Sequence, residues 1–179
     1  MGFGMALERI AYRIKQGMTR ILVAMRPGSL DLGPARAILS GQAWELFRQM
    51  SAADQAHALR VLDALRMQGP VSRSLAQAAL LHDVGKVGGK LSLLYRTAIV
   101  MAGSHQRLSA WADPRPGSLG YPVFVHLHHA ERGAEYCRQA GCDTDTIELV
   151  RWHETSDPDC VAGHLRADLL LLQSVDDHC

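Results

Sequence analysis

Apolar side chains recur at the three-to-four-residue period of a helix face along nearly the whole chain. Phe3, Leu7, Ile10, Ile14, Met18, Ile21 and Leu22 form one stripe over residues 3–22, with Arg9, Arg13, Lys15 and Arg20 mostly off it. RPGSLDLGP at 26–34 interrupts the pattern, and Pro34 suits a first helical turn. A broken helical stretch then runs to Met50, with Gly41 as its weak point. Ser51, with Asp54 in the first turn, opens a helix that carries His57, Leu59, Val61, Leu62 and Leu65 and stops at Gly69-Pro70.

Ser72 or Ser74 caps the next helix, which runs through LAQAALLHD to Gly85. Residues 90–102 read as a further, rather buried helix, and ADPRPGSLGYP at 112–122 is the long Pro/Gly-rich loop. Helical segments follow near 122–140, 144–154 and 163–177, the second capped by Asp143 or Thr144. Nowhere does the period change to the alternation of a strand. The expectation is an all-α, single-domain helical bundle of about six to nine helices. Residues 1–50 are expected to be a helical extension packed on a core domain of 51–179.

At 179 residues the chain suits one domain with a real core. Net charge is +1, which leaves no basic footprint for nucleic acid. No apolar run approaches the roughly 18 residues of a membrane span. Glu8 and Arg9 come too early for the apolar core of a signal peptide, so a cytoplasmic location is expected. Cys137, Cys142, Cys160 and Cys179 lack a CxxC or metal-finger spacing and are expected to be free thiols. The basic N-terminal stripe is expected to pack on the domain or on a second subunit of a homodimer.

The chemistry begins at AALLHDVGK, residues 78–86, where an apolar helix ends on His82-Asp83. His57 lies 25 residues before His82, His129 lies 46 after Asp83, His153 another 24 on, and Asp176 another 23 on. Each falls on a different expected helix, and bundles build metal sites from inward side chains of facing helices. Imidazole and carboxylate together suit divalent Zn, Fe, Mn, Co or Ni. Four His and two Asp can hold two ions if one carboxylate bridges, and Asp83 is the natural bridge. At a helix end the backbone can turn, and Gly85 is expected to permit that turn by its freedom at positive φ.

HALRVLDAL, ALLHDVGK, HAERGAEYCRQAG, IELVRWHE and SVDD, in that order over roughly 51–177, resemble the HD-domain superfamily of metal-dependent phosphohydrolases. GYPVFVHLHHAERGAEYCRQAG is also similar to a subgroup of small bacterial HD-domain proteins. The resemblance implies that His57, His82, Asp83 and Asp176 hold one ion. It implies that Asp83 bridges to a second ion held by His129 and His153. It places Lys86 towards the phosphate. Helical spacing puts His126, three residues before His129, on the same face as a support behind it, and the run HLHH leaves His126 and His128 as rivals to His129. Asp176, after Val175, fits the pattern better than Asp177. Two positions depart from it. Ala130 stands where the family often has Pro, and Trp152-His153-Glu154 stands where two-ion members often read HHE. The second ion position is therefore expected to be the weaker.

The function implied is hydrolysis of a phosphate ester, on a nucleotide or other small phosphorylated metabolite. One or two divalent ions (Mn, Fe, Co, Ni, Zn or Mg) would activate water, with Asp83 and Lys86 as the catalytic side chains. HETSDPDC lacks the further signature of the cyclic-dinucleotide phosphodiesterases, and HDVGK lacks the paired acids of the alarmone hydrolases. The rival readings are an HD-fold di-iron oxygenase built on the same donors, and a non-catalytic module that binds metal or nucleotide without turnover.

Overall fold

A computed structural model describes residues 30–89 and 108–179. The expected helices over 3–22 and 90–102 lie outside the described residues. Almost all that is described belongs to one compact unit, Asp31–Cys179.

The described residues form eight α-helices and three short 3-10 turns, with no strand among them. The helices are α1 (Gly33–Ile38), α2 (Gly41–Gln49), α3 (Ala52–Gln68), α4 (Arg73–Leu81), α5 (Tyr121–Leu127), α6 (His129–Gln139), α7 (Thr144–Trp152) and α8 (Arg166–His178). The turns are Val84–Lys86, Pro158–Cys160 and Gly163–Leu165. None of the described helices is long and apolar enough to cross a membrane.

Local chemistry sets the starts. Ser51 Oγ accepts from the Asp54 N–H at 3.2 Å and donates to the Asp54 carboxylate at 2.6 Å, which fixes the first turn of α3. Ser72, rather than Ser74, caps α4: its Oγ accepts from the Leu75 N–H at 3.1 Å and donates to Asp168 of α8 at 3.0 Å. Asp143 caps α7, accepting from both the N–H and the hydroxyl of Thr146. Pro34 and Pro122 sit in the first turns of α1 and α5, where a missing N–H costs nothing.

Helix α4 is the axis of the bundle. Every residue from Leu75 to Leu81 is buried, and the helix packs against α1, α2, α3, α7 and α8. Ala35 from α1 and Leu39 just past its end, Phe47 from α2, Val61, Leu62 and Leu65 from α3, Leu149 from α7, and Leu169 and Leu172 from α8 close the core around it. Burying each such aliphatic side chain is worth about 1.5–3 kcal/mol relative to exposure. Residues 31–50 thus share the core with the segments that follow them.

Two expected helices end differently. The segment 122–140 breaks at His128 (φ −116°, ψ 13°), dividing α5 from α6. The segment 163–177 opens with the 3-10 turn Gly163–Leu165 before α8 begins at Arg166. Apolar side chains continue through both joints, so periodicity alone does not mark them.

Candidate metal centre

Six elements deliver side chains to one place. His57 lies on α3 one turn before Val61, so the packing that buries Val61 and Leu65 also turns His57 inward. Asp176 lies one turn after Leu172 on α8, and its neighbour Asp177 is exposed. His82 and His153 each occupy the residue just past the end of a helix, α4 and α7. Asp83 precedes the Val84–Lys86 turn, and His129 is the first residue of α6.

The reactive atoms lie close together. His57 Nε2 is 2.7 Å from Asp176 Oδ1, and His82 Nε2 lies 3.6 Å from that same oxygen and 3.7 Å from Asp83 Oδ2. On the other side, His129 Nε2 is 3.5 Å from Asp83 Oδ1 and 3.2 Å from His153 Nε2. Neighbouring imidazoles meet edge to face: His57 with His82 at 5.3 Å, His82 with His153 at 5.2 Å, and His153 with His129 at 5.1 Å between ring centres. Donor atoms of His57, His82 and Asp83 fall within 4.8 Å of one another, as do those of Asp83, His129 and His153. Asp83 alone is shared by both groups.

Three of the rings are fixed in one tautomer by the backbone. Nδ1 of His82 donates to the Ala79 carbonyl at 3.0 Å, Nδ1 of His129 to the His126 carbonyl at 2.6 Å, and Nδ1 of His153 to the Val150 carbonyl at 2.8 Å. A carbonyl oxygen can only accept, so in the neutral ring each Nε2 presents a lone pair to the cluster. His126 thus supports His129 through its carbonyl oxygen. The buried His82 Nε2 has no hydrogen-bond partner, and the Nε2 lone pairs of His129 and His153 face each other across 3.2 Å. Lone pairs left this way are costly in a buried site, and a cation could satisfy them. The donor set, nitrogen and carboxylate oxygen, fits a divalent transition ion.

The charges are arranged accordingly. Burial opposes ionisation of Asp83, but the Lys86 ammonium, followed by His82 and His129, outweighs it and holds the carboxyl well below its usual range. Lys86 Nζ sits 2.6 Å from Asp83 Oδ1. Burial disfavours the ammonium, and the Asp83 charge overcomes this and raises its pKa. Burial pushes His129 down to about 3, with Lys86 adding to the effect. Burial, then His82, pushes His153 down to about 4. The hydrogen bond from His57 outweighs burial and draws Asp176 down to about 2. Both buried imidazoles are therefore neutral, as ligands must be, and both carboxylates are charged.

The turn that carries Asp83 and Lys86 is clamped from α6. Arg132 donates to the Gly85 carbonyl at 3.1 Å, the Val87 carbonyl at 3.2 Å and the Tyr136 hydroxyl at 2.9 Å. Gly85 is required here, for a reason other than the one expected. It has no positive φ. A Cβ at Gly85 would collide with the His129 carbonyl oxygen and lie 2.6 Å from Gly133 N, so glycine is there for close approach of two backbones.

All six expected ligands and Lys86 are brought together. One acid was not singled out from the sequence: Glu154 Oε1 lies 3.6 Å from His129 Nε2. Its signal was its place, one residue past His153, as Asp83 is one past His82. Burial raises its pKa. No protein-family model, curated protein or solved structure matches the chain.

Proposed function

We propose that the chain is a metal-dependent phosphohydrolase of the HD-domain kind, acting on a phosphate ester of a nucleotide or another small metabolite. The observation that carries this reading is the convergence of the His82, His129 and His153 Nε2 lone pairs on one shared carboxylate, Asp83, with the Lys86 ammonium beside it. His57, His82, Asp83 and Asp176 would hold one ion; Asp83, His129 and His153 would hold the other. Divalent ions held there would supply Lewis acidity, acidifying water towards neutral pKa and offsetting phosphate charge.

The chain's own residues supply the rest. The Nδ1 hydrogen bonds orient three imidazoles before any ligand arrives. Asp83 stays ionised in a buried place and separates what would otherwise be repelling cations. Lys86 keeps its proton, so a fixed positive charge stands where negative charge would develop on phosphate oxygens. The Arg132 clamp holds the turn bearing both. The thiols of Cys137, Cys142 and Cys160 suit a reducing, cytoplasmic compartment.

The test is to strip purified protein with chelator, reload it with Mn or Co, and screen phosphomonoesters and phosphodiesters for phosphate release. Turnover that appears with metal and vanishes with chelator is the expected result. Metal uptake without turnover on any phosphoester would sink the hydrolase reading in favour of a binding module. Iron-dependent oxygen consumption would do so in favour of an oxygenase.

A further inference from the structure

We propose that Glu154 is a direct metal ligand and the fourth donor of the second ion position, doing for His129 and His153 what Asp176 does for His57 and His82. The proposal rests on the reading that this centre holds divalent ions. It makes the two positions equivalent in donor number where the sequence, with Trp152 in place of a frequent His, points to a weak second one.

The argument begins with the backbone. Helices α4 and α7 end alike: the residue past the last helical turn is a histidine whose Nδ1 donates three residues back, and an acid follows it. In the first case the acid is Asp83, buried between the two ligand groups. In the second it is Glu154, whose longer side chain returns its Oε1 to 3.6 Å from His129 Nε2. His129 Nε2 therefore has three acceptors or lone pairs around it: His153 Nε2 at 3.2 Å, Asp83 Oδ1 at 3.5 Å and Glu154 Oε1 at 3.6 Å. Nε2 of the neutral ring carries no proton to give them, so this is a set of donors around a place for a cation, and not a hydrogen-bond network.

Exposure completes the parallel. In each group the two histidines and Asp83 are buried, and the remaining carboxylate stands at the rim. The Asp176 side chain is 29% exposed and that of Glu154 54%. Trp152 is no substitute donor, because its indole N–H is given to Glu148 at 3.0 Å. Charge points the same way. Two divalent ions and the Lys86 ammonium against Asp83 and Asp176 leave a surplus of three positive charges in a largely buried site. Glu154 reduces it to two, before any phosphate binds.

The experiment counts ions. Chelator-stripped full-length protein is titrated with Mn, free Mn is followed by electron paramagnetic resonance, and wild type is compared with Glu154→Gln and Asp176→Asn. Wild type is expected to bind two Mn per chain. Glu154→Gln is expected to keep one tight Mn and to weaken the second by roughly 10–100-fold or more. One equivalent of Co should then shift the ring resonances of His57 and His82 far more than those of His129 in Glu154→Gln, with the opposite preference in Asp176→Asn. A half-exposed glutamate that only supports the fold would not divide the two positions in this way. Two Mn bound by Glu154→Gln with wild-type affinities would overturn the proposal, as would wild type binding only one. Wild type binding none would remove the metal reading itself. Two ions bound without phosphoester turnover would leave Glu154 a ligand while the hydrolase reading fails.

Discussion

Asp83 is the residue on which both halves of the site depend. It is buried, charged, shared by the two clusters of donor atoms and paired with Lys86. Asp83→Asn keeps the shape and removes the charge. The variant should fold, lose most of its bound metal and fall in phosphoester turnover by at least about 100-fold, the scale for losing a key electrostatic group. Asp177→Asn, one residue from Asp176 but on the exposed side of α8, should leave both quantities near wild type. Elemental analysis and a phosphate-release assay on both variants check this pair. The six expected donors could be picked out of the sequence because each sits near a helix end or on an apolar helix, and the structure brings their side chains together. Glu154 could not, because a glutamate after a histidine at a helix end is common, and only the return of its carboxylate to His129 distinguishes it.

At the scale of elements, the decisive contact is the turn Val84–Lys86 against α6. It is made by backbone on backbone at Gly85 and Gly133, with Gly133 also 3.2 Å from a Val150 methyl at its would-be Cβ. Gly85→Ala must push the turn off α6 by driving a methyl into the His129 carbonyl. Destabilisation by about 1–3 kcal/mol or more is expected, together with weaker metal binding, since Asp83 and His129 separate. Chemical denaturation and metal titration measure the two effects; unchanged values in both would remove the close-approach account. The capping residues Ser51 and Asp143 announced their helices correctly, since a capping side chain acts on its own local backbone. The break at His128 was hidden because Val123, Val125 and Ala134 keep burying apolar surface on both sides of it. The reason for Gly85 was hidden because close approach depends on a partner 44 residues away.

For the whole molecule, the centre imposes a pH dependence on the metal-free fold. His129 and His153 have folded pKa values of about 3 and 4, below the free-imidazole value of about 6.5. Between these limits the unfolded chain takes up protons that the folded one refuses. Their contribution to stability is therefore intact above pH 6.5 and is lost as pH falls towards 4. Asp83 and Asp176, both lowered, begin to cost stability only below the ordinary carboxylate range. Melting temperature of chelator-treated protein should thus decline from pH 6.5 downwards, before the carboxylates titrate, and His129→Gln should flatten that decline. An equally steep decline in the variant would show that other groups dominate.

The hydrogen bond between His57 and Asp176 spans 119 positions of sequence. His129 and His153, by contrast, are 24 apart on adjacent helices. Closing a long loop costs more entropy than closing a short one, and contacts of large sequence separation form late. His57 and His82, 25 apart, are as local a pair as His129 and His153. Asp83 joins the second pair across 46 positions, and Asp176 joins the first across 119. Asp176 is thus the longest closure at the centre, and it depends on the docking of α8 against α3 and α4.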